Sequence, residues 1–283
     1  MIFTVGTIGR SERPLVRFAF ITDSHYAPHI APVPGDRRRY GDALCKMRRF
    51  AQHMNRLHAD FVVEGGDFKD LGRTREESIA YLDAMEGAFA LFRGPRYHVL
   101  GNHDHDNLSK DEFLSRISND GQQAAKAYYS FERGGVKFIV LNACFDSSLR
   151  PYSQNNPWND ANVPPRELAW FEQELAAARG PVVVFCHQRL DDAAEPNHLV
   201  RNAKQVRQLI EANGKVRLVV TGHQHCGGYH LLNGIPYYSL RALVVDSGPG
   251  ANSFAEVAVY PSGAFAVTGW RNAVSVNTAG EPA

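Results

Sequence analysis

Five short polar motifs along this chain carry the residue types that bind metal ions. The motifs are Asp23-Ser24-His25, Gly65-Gly66-Asp67, Gly101-Asn102-His103-Asp104, the lone His187, and Gly222-His223-Gln224-His225. Carboxylates, a carboxamide and imidazoles suit Mn, Fe and Zn, and none of the five motifs contains a sulfur ligand. These residues predict a metal centre built from nitrogen and oxygen ligands.

Each motif follows a short apolar run that is typical of a β-strand. The runs span residues 17–22, 61–63, 97–100, 182–185 and 217–220, and a sixth run spans 136–141. Because ligands of α/β proteins bind at the carboxyl ends of the strands, we expect the five motifs to converge at one edge. Glycines stand before Asp67, Asn102 and His223, and they predict tight turns with positive φ angles there.

Segments of helical period alternate with the strand-like runs, and this alternation predicts an α/β fold. The helix signals are the apolar stripe Leu44, Met47, Phe50, Met54 and Leu57, the capping boxes of Thr74 with Glu77 and Ser109 with Glu112, and Pro165 at the start of another helix. Beyond residue 226, turns at Asn233-Gly234 and Pro261-Ser262-Gly263 predict antiparallel hairpins. We expect a single domain over residues 1–276 and a frayed tail over residues 277–283.

The composition of the chain argues against binding to nucleic acid or to membranes. The chain has 31 Lys and Arg against 30 Asp and Glu, so a net charge of +1 offers no global attraction to nucleic acid or an anionic membrane. Apolar runs such as 182–186 are far shorter than the ~20 residues that cross a bilayer, and residues 1–10 lack the pattern of a secretory signal. We therefore expect a cytoplasmic protein that binds neither nucleic acid nor membranes. The four cysteines form no C-x-x-C pair and are predicted to be reduced thiols.

The ordered set of five motifs, from residue 23 to residue 225, resembles the calcineurin-like metallophosphoesterase superfamily. The resemblance implies a four-layer α/β/β/α sandwich, in which two mixed sheets are flanked by helices. It also implies two metal ions, one held by Asp23, His25, Asp67 and His225, and the other held by Asp67, Asn102, His187 and His223. Asp67 would bridge both ions, and two divalent cations roughly 3.5 to 4 Å apart need such an anionic bridge.

The same resemblance implies hydrolysis of a phosphate ester. Two ions would lower the pKa of a shared water to produce the attacking hydroxide, and would neutralise the charge that develops on the phosphoryl group. His103 would stabilise the transition state or protonate the leaving oxygen, and Asp104 would orient its ring. The implied substrate is a small phosphodiester, phosphomonoester or nucleoside diphosphate conjugate. The alternatives are a nuclease and a binding scaffold that kept the fold without the ions.

Two further features bear on the branch of the superfamily. Purple acid phosphatases carry a tyrosine ligand three residues after the bridging aspartate, whereas Asp70 stands there in this chain, so a tyrosinate–iron chromophore is not expected. The segment 222–235 and the Arg37-Arg38-Arg39-Tyr40 run resemble the manganese-dependent ADP-ribose and CDP-alcohol phosphohydrolases. Asp23-x-His25 is similar instead to class III cyclic-nucleotide and glycerophosphodiester phosphodiesterases. The choice among Mn, Fe and Zn, the natural substrate and the oligomeric state stay open.

Six residues outside the ligand set are candidates for substrate binding. Arg37, Arg38 and Arg39 are placed to grip a second phosphate, Tyr152 and Trp158 to stack on a base, and His105 to line the pocket. Each has an ordinary structural interpretation as well. Consecutive arginines usually form a solvated surface, and aromatic residues of a long loop often anchor that loop to the body of the protein.

Overall fold

The computed structural model describes residues 12–154 and 156–277, and two mixed β-sheets stack at the centre of this part of the chain. The strands are β1 (Val16–Ile21), β2 (Phe61–Glu64), β3 (Arg96–His98), β4 (Tyr129–Arg133), β5 (Val136–Val140), β6 (Val182–Phe185), β7 (Val216–Thr221), β8 (Gly228–Leu232), β9 (Ile235–Ser239), β10 (Phe254–Val259) and β11 (Phe265–Trp270). The first sheet has the order β11-β10-β1-β2-β3, and the second has the order β4-β5-β6-β7-β9-β8. Parallel pairs such as β1 with β2 lie beside antiparallel pairs such as β10 with β11.

Helices cover the outer face of each sheet. They are α1 (Ala43–Leu57), α2 (Arg75–Phe89), α3 (Lys110–Leu114), α4 (Pro165–Ala177) and α5 (Ala203–Asn213). The buried faces of α1 and α2 pack against the first sheet, and those of α4 and α5 pack against the second. This arrangement confirms the predicted four-layer α/β/β/α sandwich.

Phenylalanine side chains interlock the two sheets. The Phe18 ring on β1 lies 5.0 Å from Phe61 on β2, 5.4 Å from Phe138 on β5 and 5.7 Å from Phe185 on β6, measured between ring centroids. All four side chains are buried, and each contributes about 1.5 to 3 kcal/mol through removal of apolar area from water. Because β1, β2 and β6 lead into three of the polar motifs, this core fixes the positions of those motifs relative to one another.

The sequence signals locate most of these elements. All six predicted strands form, with ends within one or two residues of the prediction. The Thr74 hydroxyl accepts a hydrogen bond from the Glu77 amide at 3.2 Å, and Ser109 and Glu112 form a complete capping box. The C-terminal hairpins also form, but they are divided between the sheets: β9 pairs with β7, and β10 pairs with β1. They cover strand edges that would otherwise expose unpaired backbone groups.

Two elements were not predicted from the sequence. Strand β4 turns into β5 through Gly134-Gly135, both with positive φ, and that glycine pair was the available signal. Helix α5 buries Val206 and Ile210, whose spacing of four residues is typical of a helix.

Other predictions concern the ends and the thiols. Residues 278–283 of the predicted tail lie outside the described residues, and so do residues 1–10, which were predicted not to form a secretory signal. Cys45, Cys144, Cys186 and Cys226 are free thiols, as predicted. Among the described helices, none combines the length and the apolar character needed to span a bilayer.

Glu167 in the first turn of α4 makes the stability of this fold depend on pH. Burial raises the pKa of Glu167 to about 8, although its carboxylate accepts a hydrogen bond from the Asn142 amide at 2.7 Å. Between pH values of about 4.5 and about 8 the folded protein holds a proton that the unfolded chain releases, so this residue lowers stability as pH rises.

We expect Glu167→Gln, which keeps the acceptor for Asn142, to lose less thermal stability than the native protein between about pH 5 and about pH 8.5. Thermal unfolding followed by circular dichroism measures the difference. An identical pH dependence in the two proteins would contradict it.

Candidate metal centre

The loops after β1, β2 and β7 hold four polar residues in the left-handed backbone conformation. The residues are Asp23 (φ 53°), His25 (φ 47°), Asp67 (φ 54°) and His223 (φ 65°). This conformation costs an ordinary residue roughly 1 to 2 kcal/mol, and it clusters at functional sites. The loops brace each other, because the Asp23 amide donates to the Gly66 carbonyl at 3.0 Å and the His25 amide donates to the Asp67 carbonyl at 2.9 Å. The chain's own hydrogen bonds therefore hold these side chains together.

The glycines of the motifs differ from the prediction. Positive φ was predicted at the glycines before Asp67, Asn102 and His223, and among these three only Gly66 has it (φ 96°). Gly101 and Gly222 are needed for space instead. A Cβ atom at Gly101 would collide with Asp67, and one at Gly222 would collide with the side chains of Thr22 and Asp23.

One group of possible ligand atoms contains His25, His225 and Asp23. The Nε2 atoms of His25 and His225 lie 3.0 Å apart, and the Asp23 Oδ1 atom lies 3.8 Å from the first and 3.6 Å from the second. Asp23 is fully buried, whereas His225 is partly exposed. Three atoms of this kind at this separation could hold one metal ion.

A second group contains Asp67, His187 and His223. The Asp67 Oδ2 atom lies 3.1 Å from the Nε2 atom of His187 and 3.5 Å from that of His25, so it lies between the two groups. Nε2 of His187, Nε2 of His223 and Oδ1 of Asn102 are buried without a hydrogen-bond partner. Buried polar atoms are normally paired, and a cation would supply the missing partner. The residues present therefore fit two metal ions.

In two of these histidines, the Nδ1 atom, which points away from the cluster, is hydrogen-bonded to an oxygen atom. His187 Nδ1 lies 2.8 Å from the Gly65 carbonyl oxygen, and His25 Nδ1 lies 2.9 Å from Asp70 Oδ2. Both oxygens are acceptors, so each Nδ1 carries a proton, and each Nε2 presents a lone pair to the cluster when the ring is neutral.

Electrostatics favour a cation in this cluster. Burial works to raise the pKa of Asp23, but the His25 hydrogen bond and nearby His187 and His225 lower it to about 2. Burial lowers the pKa of His187, yet Asp67 and Asp23 raise it to about 10. Burial and the His25 charge lower the pKa of His225 to about 4. Without metal the aspartates hold protons on neighbouring imidazoles, and a bound cation would take the place of those protons.

The structure places His103 and Asp104 in different environments. His103 lines the cavity above the cluster, and its backbone amide donates to Asp67 Oδ1 at 2.7 Å. The Asp104 carboxylate accepts hydrogen bonds from the amides of Asp67, Phe68 and Gly101 at 3.1, 2.8 and 2.8 Å. Asp104 therefore does not orient the His103 ring, contrary to the prediction, because it is turned inward to organise two loops.

The side chains of Arg37, Arg38 and Arg39 lie in three different places. Only Arg38 lines the cavity, which has a volume of about 470 Å³. Arg37 is exposed and forms two hydrogen bonds to Asp246 at 2.7 and 2.6 Å. Arg39 donates to the backbone carbonyls of Asp36 and Arg38 at 2.6 and 2.8 Å. Of this run, the structure brings only Arg38 to the candidate site, where it also pairs with Asp36 at 2.7 Å.

The aromatic residues predicted to contact substrate also lie in different places. Trp158 is 41% exposed and lines the cavity, with its ring centroid 5.8 Å from that of His223. Tyr152 is buried and donates to the Pro157 carbonyl at 3.2 Å, so it anchors the loop, which was its ordinary interpretation. His105 packs against Tyr152 and does not line the cavity. The structure therefore does not bring Tyr152 and His105 to the site.

His198 is a cavity residue that sequence reasoning missed. It lies in a short 3₁₀ turn, Pro196–His198, and its ring centroid is 5.0 Å from His223 and 5.3 Å from Trp158. It stands in no motif, and its position depends on a loop that the Gln224 side chain holds by accepting hydrogen bonds from Arg189 and the Glu195 amide. No local signal in the sequence marked it.

Comparison with known proteins now gives the family. The model of the calcineurin-like phosphoesterases matches residues 16–227, which include all five motifs and most of both sheets. The chain belongs to the calcineurin-like phosphoesterase family. As a calcineurin-like phosphoesterase it is a metal-dependent hydrolase of phosphoric esters, as the motifs predicted.

Several characterised proteins are similar to this calcineurin-like phosphoesterase over most of their length. Manganese-dependent ADP-ribose/CDP-alcohol diphosphatases of Arabidopsis thaliana and of Oryza sativa are each 26% identical to it, covering 88% and 92% of this chain and 93% and 94% of their own. In structure, a dimetal phosphatase from Danio rerio superposes with a TM-score of 0.78 at 19% identity, over 94% of this chain and all of its own. That superposition confirms the fold.

Proposed function

We propose that this phosphoesterase hydrolyses nucleoside diphosphate conjugates at a dinuclear metal centre. The observation that carries the proposal is that the His/Asp cluster, Arg38 and Trp158 line one cavity of about 470 Å³. Cavities that bind small molecules are of this size. A guanidinium suits a second phosphate, and an exposed indole suits a base.

The ligand assignment is part of this proposal. One ion is held by Asp23, His25, Asp67 and His225, and the other by Asp67, Asn102, His187 and His223. When bound, the two ions supply Lewis-acid charge to the phosphoryl oxygens and a nucleophilic water. The support is the spacing of the Nε2 and Oδ atoms, together with the unpartnered atoms of Asn102, His187 and His223.

The chain's own groups supply the other parts of the reaction. His103 lies at the cavity wall and donates a proton from Nε2 to the leaving oxygen as the P–O bond breaks. Asp104 fixes the loops of Asp67 and Gly101 through three amide hydrogen bonds, so it acts on position rather than on substrate. Arg38 and Trp158 bind the part of the substrate that does not react.

The relatives support this choice of substrate class. The similar plant proteins are named for ADP-ribose and CDP-alcohols and for manganese, so these compounds and Mn²⁺ are the first to test. A nuclease would need a basic surface, whereas the net charge is +1 and the exposed Arg37 is paired with Asp246. The binding-scaffold alternative would be expected to lack several ligand-type residues of the cluster, and here the cluster keeps them.

Substrate comparison tests the proposal. Purified protein with Mn²⁺ is assayed on ADP-ribose, CDP-choline, p-nitrophenyl phosphate, bis-p-nitrophenyl phosphate and a single-stranded DNA oligonucleotide. We expect kcat/KM for one of the two diphosphate conjugates to exceed that of every other compound by about tenfold or more, and EDTA to abolish the activity. Preference for the monoester, or cleavage of DNA, would overturn the substrate class. Absence of metal-dependent turnover on every compound would favour the scaffold.

Trp158 offers a separate prediction about the base. We expect Trp158→Ala to raise KM for the preferred nucleoside conjugate by about tenfold, because a stacked base is worth about 1 to 3 kcal/mol, and to leave kcat within about threefold. Trp170→Ala is the matched control, since Trp170 packs on Tyr128 away from the cavity. Steady-state kinetics on the three proteins measure the effect, and an unchanged KM in Trp158→Ala would exclude stacking on this residue.

A further inference from the structure

The side chain nearest the outer nitrogen of His103 is Asp106, which no motif singled out. Its Oδ2 atom lies 2.6 Å from His103 Nδ1; both residues are partly buried, and His103 lines the cavity. A carboxylate accepts at this distance, so Nδ1 carries the proton and Nε2 is the nitrogen available to substrate. We propose that Asp106 is the positioning residue that holds the His103 ring for proton transfer.

Apart from Asp67 of the candidate metal centre, two other acids lie near His103, and both are held by other hydrogen bonds. Asp104 is fully buried and accepts from three backbone amides. Asp70 lies 2.9 Å from His25 Nδ1, accepts from the Leu71 amide at 2.6 Å and is 3.8 Å from His103 Nδ1, beyond a hydrogen bond. Each carboxylate therefore pairs with a different histidine: Asp70 orients His25, and Asp106 orients His103.

A buried lysine fixes the turn that carries this pair. Lys69 is fully buried, and its Nζ atom donates to the carbonyl oxygens of His103 and Asp106, each at 2.6 Å. The His103 amide donates to Asp67 at the other side of the same turn. The backbone at residues 103–106 is therefore held at three points, and Asp106 adds the restraint on the ring itself. Without that restraint the imidazole can rotate or change tautomer.

The orientation of the His103 ring determines which of its nitrogens faces the leaving group. A ring whose Nδ1–H group donates to Asp106 presents Nε2 to the leaving oxygen. The imidazolium form gives its Nε2 proton to that oxygen while the P–O bond breaks, and the neutral Nδ1–H ring that remains regains a proton at Nε2 from solvent. An acidic leaving group departs as an anion and needs no such proton, whereas a basic one does. This inference rests on the role of His103 under the proposed function. It does not depend on which conjugate is the natural substrate.

A matched pair of leaving groups tests the inference. The p-nitrophenyl and phenyl esters of one nucleoside monophosphate differ only in the acidity of the departing phenol. We expect Asp106→Asn to slow the phenyl ester by about a hundredfold or more and the p-nitrophenyl ester by less than about threefold, with unchanged metal content. Asp111→Asn, an exposed acid a few residues on, is the control and should equal the native protein on both esters. Equal losses on both esters, or no loss on either, would overturn the positioning role.

A second measurement does not need turnover. In ¹⁵N-histidine-labelled, zinc-loaded protein, long-range ¹H–¹⁵N spectra report which ring nitrogen carries the proton, and the His103→Gln spectrum assigns the signal. At a pH where the His103 ring is neutral, we expect the Nδ1–H tautomer in the native protein and in Asp111→Asn, and a mixture of tautomers in Asp106→Asn. The same tautomer in all three would overturn the inference. If the native protein cleaves neither ester, the failure lies with the proposed function, and the spectra still decide the role of Asp106.

Discussion

Asp67→Ala is expected to lose turnover by about a thousandfold or more while the protein stays folded. The Asp67 carboxylate lies within 3.5 Å of the Nε2 atoms of both His25 and His187, one in each candidate ligand group. Its removal takes away the anion that would offset the repulsion between two divalent ions. We therefore expect fewer than two Mn²⁺ ions per chain after dialysis.

Two variants separate this effect from misfolding. Asp67→Asn keeps the size of the side chain and tolerates the left-handed backbone at this position, so it should fold as the native protein does and lose activity to a similar degree. Asp111→Ala, which changes an exposed acid, should behave as the native protein. Metal analysis, steady-state rates and circular dichroism provide the measurements. Two bound ions together with native rates in Asp67→Ala would refute the bridging role.

Removal of both metal ions is expected to lower Tm by about 10 to 20 °C. Ligand present at roughly a hundred times its Kd stabilises the folded state by about 2.7 kcal/mol per site, and each kcal/mol corresponds to about 2 to 4 °C in a protein near this size. The physical origin is the cluster itself, where two Nε2 atoms lie 3.0 Å apart and others are buried without partners. Bound metal would relieve both defects.

Thermal scans after EDTA dialysis, with and without added Mn²⁺, measure the shift. Mn²⁺ should restore the native Tm, and Asp67→Asn should respond much less to either treatment, because it lacks the shared ligand. The same Tm with and without metal in the native protein would contradict the assignment of this cluster as a metal centre.

The sequence located the strands and the cluster of polar residues because both depend on local patterns, whereas the four-layer sandwich was implied by the resemblance to the superfamily. Apolar runs such as 182–185 become strands, and polar residues that follow them share the carboxyl edge of the sheets. The Nε2 atoms of His25 and His187 each lie within 3.5 Å of Asp67 Oδ2. Spacing after strands was therefore enough to find the candidate site.

The surroundings of the cluster depend on contacts distant in sequence. Arg37 is held away from the cavity by Asp246, which is 209 residues along the chain. His198 reaches the cavity through a loop tied to Gln224. From the sequence, Asp104 was predicted to orient the His103 ring. The 3₁₀ turn at His103–His105 instead directs Asp104 inward, and Asp106 Oδ2 lies 2.6 Å from the ring Nδ1. No local sequence pattern predicts the positions of these side chains.

The left-handed residues at 23, 25, 67 and 223 have a consequence for metal uptake. The free-energy cost of this backbone conformation is offset during folding by hydrogen bonds such as that from the Asp23 amide to the Gly66 carbonyl. An arriving cation then orders no loop, so its affinity is not reduced by about 1 to 2 kcal/mol for each residue that it would otherwise immobilise. We therefore expect the centre to act as a rigid chelator, with a selectivity among cations that depends on how well each ion fits a site whose dimensions are fixed by the fold.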